Sequence, residues 1–370
     1  MFDGISEFVN WAGLGIPSFL FVITVVVFFH ELGHFIAGRL FGVKIEMFSI
    51  GFGREIYGWT DRKGTRWKIS WLPFGGYVRF AGDADASSRP ADTKHASAKE
   101  KKTMLQHKPL AQRAIVVAAG PLANFVLAIV VFAGLYLAVG RPSTPPVIDE
   151  VTQNSAADEA NLRAGDTIRA VDGQPVKTFA DLQRVVVVNP DHNLTITVER
   201  NGARTDLVAR PRAEQIKDSS GVPHTIGRLG ISNSFVSIGP FEAVGLAAAQ
   251  TWYIVDQTMR YIGGLLTGHG STKDLSGPLG IAKVSGDVAQ VGFLALVNLI
   301  ALLSVSIGLI NLFPIPVLDG GHLLYYGFEA VLGRPLGARA QEVGFRLGLA
   351  LVLSLMLLAT FNDLIRLNIF

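Results

Sequence analysis

His30-Glu31-Leu32-Gly33-His34 sets two imidazoles four residues apart. On a helix that spacing stacks both rings on one face, one turn apart, where they can grip a single metal ion. Glu31 then sits beside the metal, within reach of a water bound to it. Zinc takes neutral imidazole readily, and three protein ligands leave its fourth position open. The metal lowers the pKa of such a water from about 15.7 toward ~7, which supplies a hydrolytic nucleophile at neutral pH. A bare motif of this kind also occurs on ordinary exposed helices. Here it closes the uncharged run from Pro17 to Phe29, and ionisable residues inside an apolar span are costly and functional by default. The chemistry expected is metal-assisted hydrolysis at membrane depth.

A third ligand must come from elsewhere. His95, His107, His192, His224 and His269 lie in hydrophilic stretches and read as solvated surface residues. Asp319 is the better candidate. It follows Asn311-Leu312-Phe313-Pro314-Ile315-Pro316-Val317-Leu318, where two prolines spaced by one residue break a helix. Irregular backbone at membrane depth is tolerated only where it lines a cavity or is buried in protein. Asp319 is thus expected on a non-helical element near the end of a span. The competing reading is a plain turn leaving the membrane.

The elements that must position these residues are apolar. Of 370 residues, 49% are hydrophobic and 17% charged, against about 25% charged in a soluble domain. This argues against disorder, a coiled coil and an ordinary cytosolic enzyme. The net charge of +3 and the lack of a basic stripe give no reason to expect nucleic acid. With no cysteine, disulfides and thiolate catalysis are excluded. A spanning helix needs roughly 20 apolar residues, and four stretches offer them, near 17–41, 112–140, 291–313 and 343–362. Residues 1–16 hold Asp3 and Glu7 and no Lys or Arg, unlike the basic start of a signal peptide. The 42–110 loop is rich in Lys and Arg, which places it in the cytoplasm. Both termini and the 141–290 region are then external, and the His-Glu cluster faces the cytoplasmic side.

Residues 147–232 read as a folded external module. Val147 to Val151 and Leu194 to Glu199 are strand candidates, Asn201-Gly202 signals a hairpin into Thr205–Arg210, and Phe179 to Val188 is a helix candidate. Leu162-Arg163-Ala164-Gly165-Asp166-Thr167-Ile168, with Val171-Asp172-Gly173, resembles a run found in PDZ domains. Arg228-Leu229-Gly230-Ile231 resembles their carboxylate-binding strand, here at the C-terminal end as in the circularly permuted bacterial form. Such domains take extended peptides at a sheet edge, which makes Gly230 and Ile231 candidate binding residues for a peptide or C-terminus. The other reading is a small β domain whose glycines only make turns. Between 239 and 267 the polar residues fall in a sector of about 120°, an amphipathic helix that lies in the interface plane or packs against the module.

The two motifs together resemble the site-2 protease family of intramembrane zinc metalloproteases (peptidase family M50), in its bacterial RseP type. The resemblance implies a multi-span α-helical membrane protein of about four transmembrane helices, with a cytoplasmic membrane-associated β-hairpin region and an inserted α+β PDZ domain. It implies one Zn2+ bound by His30, His34 and Asp319, with Glu31 as general base. It also implies that Asn311, Pro314 and Pro316 help hold substrate backbone. Gly120-Pro121-Leu122-Ala123-Asn124 matches the family's G-x-x-x-N element, open to a helix-packing or an active-site reading for Asn124. The hairpin resemblance falls on Arg66 to Phe80, whose edge suits either an unwound substrate or interfacial anchoring; Ala84 to Lys102 reads as mobile. The domain plan expected is a 1–146 first half of the membrane core, a periplasmic 147–232 module, the 239–267 helix and a 291–370 second half. The implied setting is the bacterial inner membrane. The implied substrates are single-span membrane proteins such as anti-sigma factors, or remnant signal peptides. A metal transporter, or a silent scaffold carrying a PDZ module, are the rival classes; the first gives Glu31 no task, and the intact His-Glu motif with Asp319 disfavours the second.

Overall fold

The structure, a computed structural model, describes residues 2–83, 97–143, 145–217, 223–272 and 275–366. The chain divides into two units, Met1–Ala133 with Val244–Phe370, and Gly134–Ala243. The uncharged runs become helices because helices alone satisfy their own backbone in a lipid environment. Among the described residues, four helices are long and apolar enough to cross a membrane: Gly13–Leu40, Leu110–Val139, Phe293–Asn311 and Arg339–Arg366. The protein is a multi-span helical membrane protein.

The first unit opens with helix α1 (Phe2–Leu40), then two long curled strands, β1 (Ile45–Thr60) and β2 (Arg66–Phe80). Their pairing doubles back, so Phe48 is flanked by Val78 on one side and Trp67 on the other. Phe48, buried to 1% exposure, stacks on Trp67 at 4.4 Å and meets Phe28 and Phe35 of α1 edge-on. This aromatic core fastens the sheet to the last turns of α1. A short helix α2 (Ala98–Lys101) follows, capped reciprocally by Ser97 and Glu100, in a stretch that composition marks as mobile. The rest of that stretch, with His95, lies outside the described residues. Next comes α3 (Leu110–Val139). A Cβ on Gly33 would lie 2.2 Å from the Ala119 carbonyl, so α1 and α3 touch backbone to backbone through small residues.

The second unit carries β3 (Arg141–Pro142), β4 (Ile148–Val151), α4 (Ala156–Glu159), β5 (Thr167–Val171), β6 (Gln174–Pro175), α5 (Phe179–Val187), β7 (Leu194–Arg200), β8 (Ala203–Ala209), β9 (Arg212–Lys217), β10 (Pro223–Arg228), β11 (Ile231–Asn233) and β12 (Phe235–Val236). One sheet has the order β6-β5-β7-β8. Asn201 and Gly202, at φ 53° and 81°, make the left-handed turn between β7 and β8 that the dipeptide announces. Ile148, Ile168, Val171, Leu182, Ile196 and Val198 form the core. Asp166, fully buried, accepts from Arg200 Nε and Nη2, both at 2.7 Å, and from Arg163 N at 2.9 Å.

The chain returns to the first unit with α6 (Pro240–Leu266), α7 (Pro278–Val291), α8 (Phe293–Asn311), α9 (Asp319–Leu332) and α10 (Ala338–Arg366). Val22 and Val26 of α1, Leu127 of α3, and Leu299 and Ile300 of α8 share one core. Asp363, 1% exposed, accepts from Gly277 N at 3.1 Å and Gly280 N at 2.8 Å, so the end of α10 caps the start of α7. Between α8 and α9 the backbone breaks at Leu312–Leu318. Asp319 does not belong to that break, as the proline pattern suggests, but opens α9. The prolines end one helix, and the chain restarts another immediately after them. Two contacts seat this region. Arg113 of α3 pairs bidentately with Glu329 of α9 and lies over the Tyr326 ring at 4.9 Å. A Cβ on Gly348 of α10 would lie 1.8 Å from the Pro316 carbonyl, a fit only glycine permits.

Burial alone would raise the Asp166 carboxyl, but the hydrogen bonds from Arg200 and Arg163 N, with the Arg200 charge, outweigh it and hold it below its ordinary value. A carboxyl depressed on folding stabilises the fold above its unfolded pKa, and that contribution is lost as pH falls through the folded pKa. Asp166→Asn is expected to cost about 2 kcal/mol at neutral pH, seen as faster hydrogen exchange in β5 and β7. The difference from wild type is expected to shrink as pH drops below about 4.

Candidate metal centre

His30 and His34 occupy successive turns of α1 and are 8% and 9% exposed. Their Nε2 atoms lie 3.3 Å apart. Asp319 Oδ2 is 3.1 Å from the first and 3.4 Å from the second. One ligand atom from each of the three residues falls within 4.8 Å of the others. The sequence spacing therefore brings together the three residues it singles out, with Asp319 carried in on the first turn of α9.

The surroundings fix which ring atoms are free. His34 Nδ1 donates to the Val116 carbonyl at 2.9 Å, which leaves the Nε2 lone pair facing Asp319. Pro121 in α3 withholds the amide that would bond the Val117 carbonyl, one residue along, and so loosens this turn. His30 Nδ1 lies 3.2 Å from the side-chain amide of Asn124, a residue with no exposed surface. With the amide oxygen turned to the ring, His30 Nδ1–H donates to it and Nε2 is again free. That orientation also gives a partner to Asn124 Oδ1, which is otherwise buried and unpaired. Asp319 Oδ2 is likewise buried and has no hydrogen-bond donor. Three potential ligand atoms thus converge on one small volume, an arrangement that a cation can bridge. Two imidazoles and a carboxylate form a donor set that suits zinc and leaves a position open for chemistry. The residues fit the metal.

Space at the centre is set by Gly120. A Cβ there would lie 2.2 Å from His34 Nε2. Glu31 is half-buried, and its Oε2 accepts from the Val78 amide of β2 at 3.0 Å. The strand thus orients the carboxylate between the two histidines in sequence. Neither Val78 nor Val116 is legible beforehand, because both act through backbone atoms. Asn311 is the last residue of α8, and Pro314 and Pro316 lie in the break that follows. Val317 there holds φ at 110°, a strained conformation for a β-branched residue. His322 sits one turn beyond Asp319, half-buried. His107, His192, His224 and His269 take no part in the cluster. Gly230 and Ile231 belong to the second unit, where Gly230 has φ 82° and Ile231 pairs with Val151.

A metal-ready centre whose two histidines lie on a membrane-spanning helix points to an intramembrane metalloenzyme, and relatives make it a hydrolase. The family model described as peptidase family M50 matches residues 18–355. A Rhizobium meliloti (strain 1021) protein that carries the name zinc metalloprotease is 45% identical over 359 residues, covering 94% of this chain and 96% of its own. A similarly named protein of Agrobacterium fabrum (strain C58) is 45% identical over 358 residues, covering 94% and 95%. Metalloprotease MmpA of Caulobacter vibrioides is 38% identical over 381 residues, covering 95% and 96%. The chain belongs to peptidase family M50, the site-2 proteases, and is a zinc metalloendopeptidase of the membrane.

Gly120→Ala is expected to displace the His34 ring and to cut bound zinc well below one per chain, measured by elemental analysis. Gly134→Ala, with nothing within 4 Å of its added Cβ, is the matched control on the same helix and is expected to keep full zinc.

Proposed function

We propose that His30, His34 and Asp319 are the zinc ligands, that Glu31 is the general base, and that the enzyme cuts peptide bonds within or near transmembrane segments of single-span membrane proteins. The observation that carries the assignment is the Asp319 carboxylate oxygen at 3.1 and 3.4 Å from the two imidazole nitrogens. Zinc held there supplies a Lewis acid for the scissile carbonyl and makes a water acidic enough to attack at neutral pH. Glu31 takes the proton of the attacking water and returns it to the leaving nitrogen. The Val78 amide keeps its carboxylate aimed during both transfers.

A helical peptide bond is shielded by its own hydrogen bonds, so the substrate unwinds before it is cut. Asn311 and the Pro314/Pro316 segment hold the unwound backbone, since the break leaves main-chain groups without helical partners. The edge of β2 offers a second place for an extended segment to pair. Asn124 acts on the metal ligand rather than on substrate: its amide meets His30 Nδ1 and selects the tautomer that leaves Nε2 free. The module at 147–232 is a PDZ domain whose Gly230–Ile231 strand receives a peptide or a newly cut C-terminus, and it screens substrates by size or end. The basic 42–110 loop sets the topology: inner membrane, termini and module periplasmic, the zinc site toward the cytoplasm. Anti-sigma factors and remnant signal peptides are the fitting substrate classes.

Glu31→Gln is expected to retain one zinc per chain and to lose at least about a hundredfold in cleavage of a transmembrane substrate; normal cleavage by that variant would overturn the general-base role. Asn124→Leu is expected to weaken zinc roughly ten- to a hundredfold in a chelator competition, with Asn124→Asp close to wild type.

A further inference from the structure

An open recess of about 700 Å³ lies beside the C-terminal end of α1, and none of the three proposed metal ligands lines it. We propose that it binds one anionic phospholipid, with the phosphate on Arg62 and Lys63 and an acyl chain along Ile36, Leu40 and Trp59. The tip between β1 and β2 is built to present the two cations. Asp61 Oδ1 accepts from Lys63 N at 2.9 Å and Thr65 N at 3.0 Å, and Gly64 at φ 85° closes the turn. Asp61 Oδ2 accepts from Trp67 Nε1 at 3.2 Å and pairs with Arg39 of α1, which also donates to Thr65 Oγ1 at 2.7 Å.

Arg39 therefore neutralises Asp61, and the tip keeps the charge of Arg62 and Lys63. Both are exposed, and among the described residues no acidic side chain pairs with either. Burial opposes ionisation of Asp61, but its hydrogen bonds from Thr65, Trp67 and Lys63 and the Arg39 charge outweigh it and keep its carboxyl below the ordinary range. The brace thus persists at neutral pH.

The apolar half of the recess points to lipid rather than to a free anion. Ile36 and Leu40, one turn apart at the end of a membrane span, are 49% and 78% exposed. Trp59 is 48% exposed and stacks parallel on Trp67 at 5.8 Å and 7°. Indoles and cations at the end of an apolar span mark the level where headgroup and acyl chain meet. An inorganic phosphate would use the cations and leave these three apolar side chains bare; a phospholipid covers both halves at once.

The test uses full-length protein in neutral detergent with its zinc content checked. Dioleoylphosphatidylglycerol and dioleoylphosphatidylcholine are added separately, and bound lipid is counted by native mass spectrometry. Wild type is expected to hold one phosphatidylglycerol roughly tenfold more tightly than phosphatidylcholine. Arg62→Glu with Lys63→Glu is expected to abolish that preference at unchanged zinc content, and Trp59→Ala to weaken both lipids alike. Lys99→Glu with Lys102→Glu, a control on another basic stretch, is expected to keep the preference. No preference in wild type, its survival in the Arg62/Lys63 variant, or displacement of the lipid by millimolar inorganic phosphate would each overturn the proposal.

Discussion

Two ring nitrogens and a carboxylate oxygen within hydrogen-bond distance of one another, on largely buried side chains, are the constraint around which the first unit is organised. Lone pairs that face each other repel, and in a medium of low polarity the repulsion is weakly screened. Such a cluster persists only if its members are held from behind. The Val116 carbonyl and the Asn124 amide hold the two rings by their far nitrogens. Asp319 is held by the helix it begins, and that helix is fixed at its other end by Arg113 and Glu329. A divalent ion held among the three atoms would bridge them.

Close backbone approach is the second requirement. Side chains reach only a few ångströms, so α1, α3 and the start of α9 must nearly touch at the centre. Gly33 brings α1 against Ala119, Gly120 makes room for the His34 ring, and Gly348 admits the Pro316 carbonyl. None of these glycines binds the metal. Each sets a distance that the ligands cannot set for themselves.

Legibility in the sequence followed the range of the interaction. The i, i+4 histidines and the four apolar runs are local patterns, and a period or a run length is enough to find them. The Asn201-Gly202 turn is local too, since both residues carry the positive φ it needs. The sequence singles out Asp319 as a candidate ligand, but its placement at a helix start could not be read, because proline rules say where a helix ends and not where the next begins. Helices α7 and α9 escape a search for long apolar runs: they are short, and their polar ends are satisfied from far along the chain by Asp363 and by Arg113. The Val78 and Val116 contacts are invisible for a different reason. A main-chain atom carries no residue signature, so its role emerges only from geometry.

The order of the three proposed ligands along the chain has a consequence for biosynthesis. Histidines near the beginning enter the bilayer early, whereas their carboxylate partner lies beyond the second unit and the third apolar helix. A ribosome-bound intermediate lacking residue 319 carries just two of the three donors. On the proposed ligand set, hydrolytic competence therefore arrives only after the second unit and the third apolar helix have been made. A product stalled before residue 319 lacks the carboxylate of that proposed set.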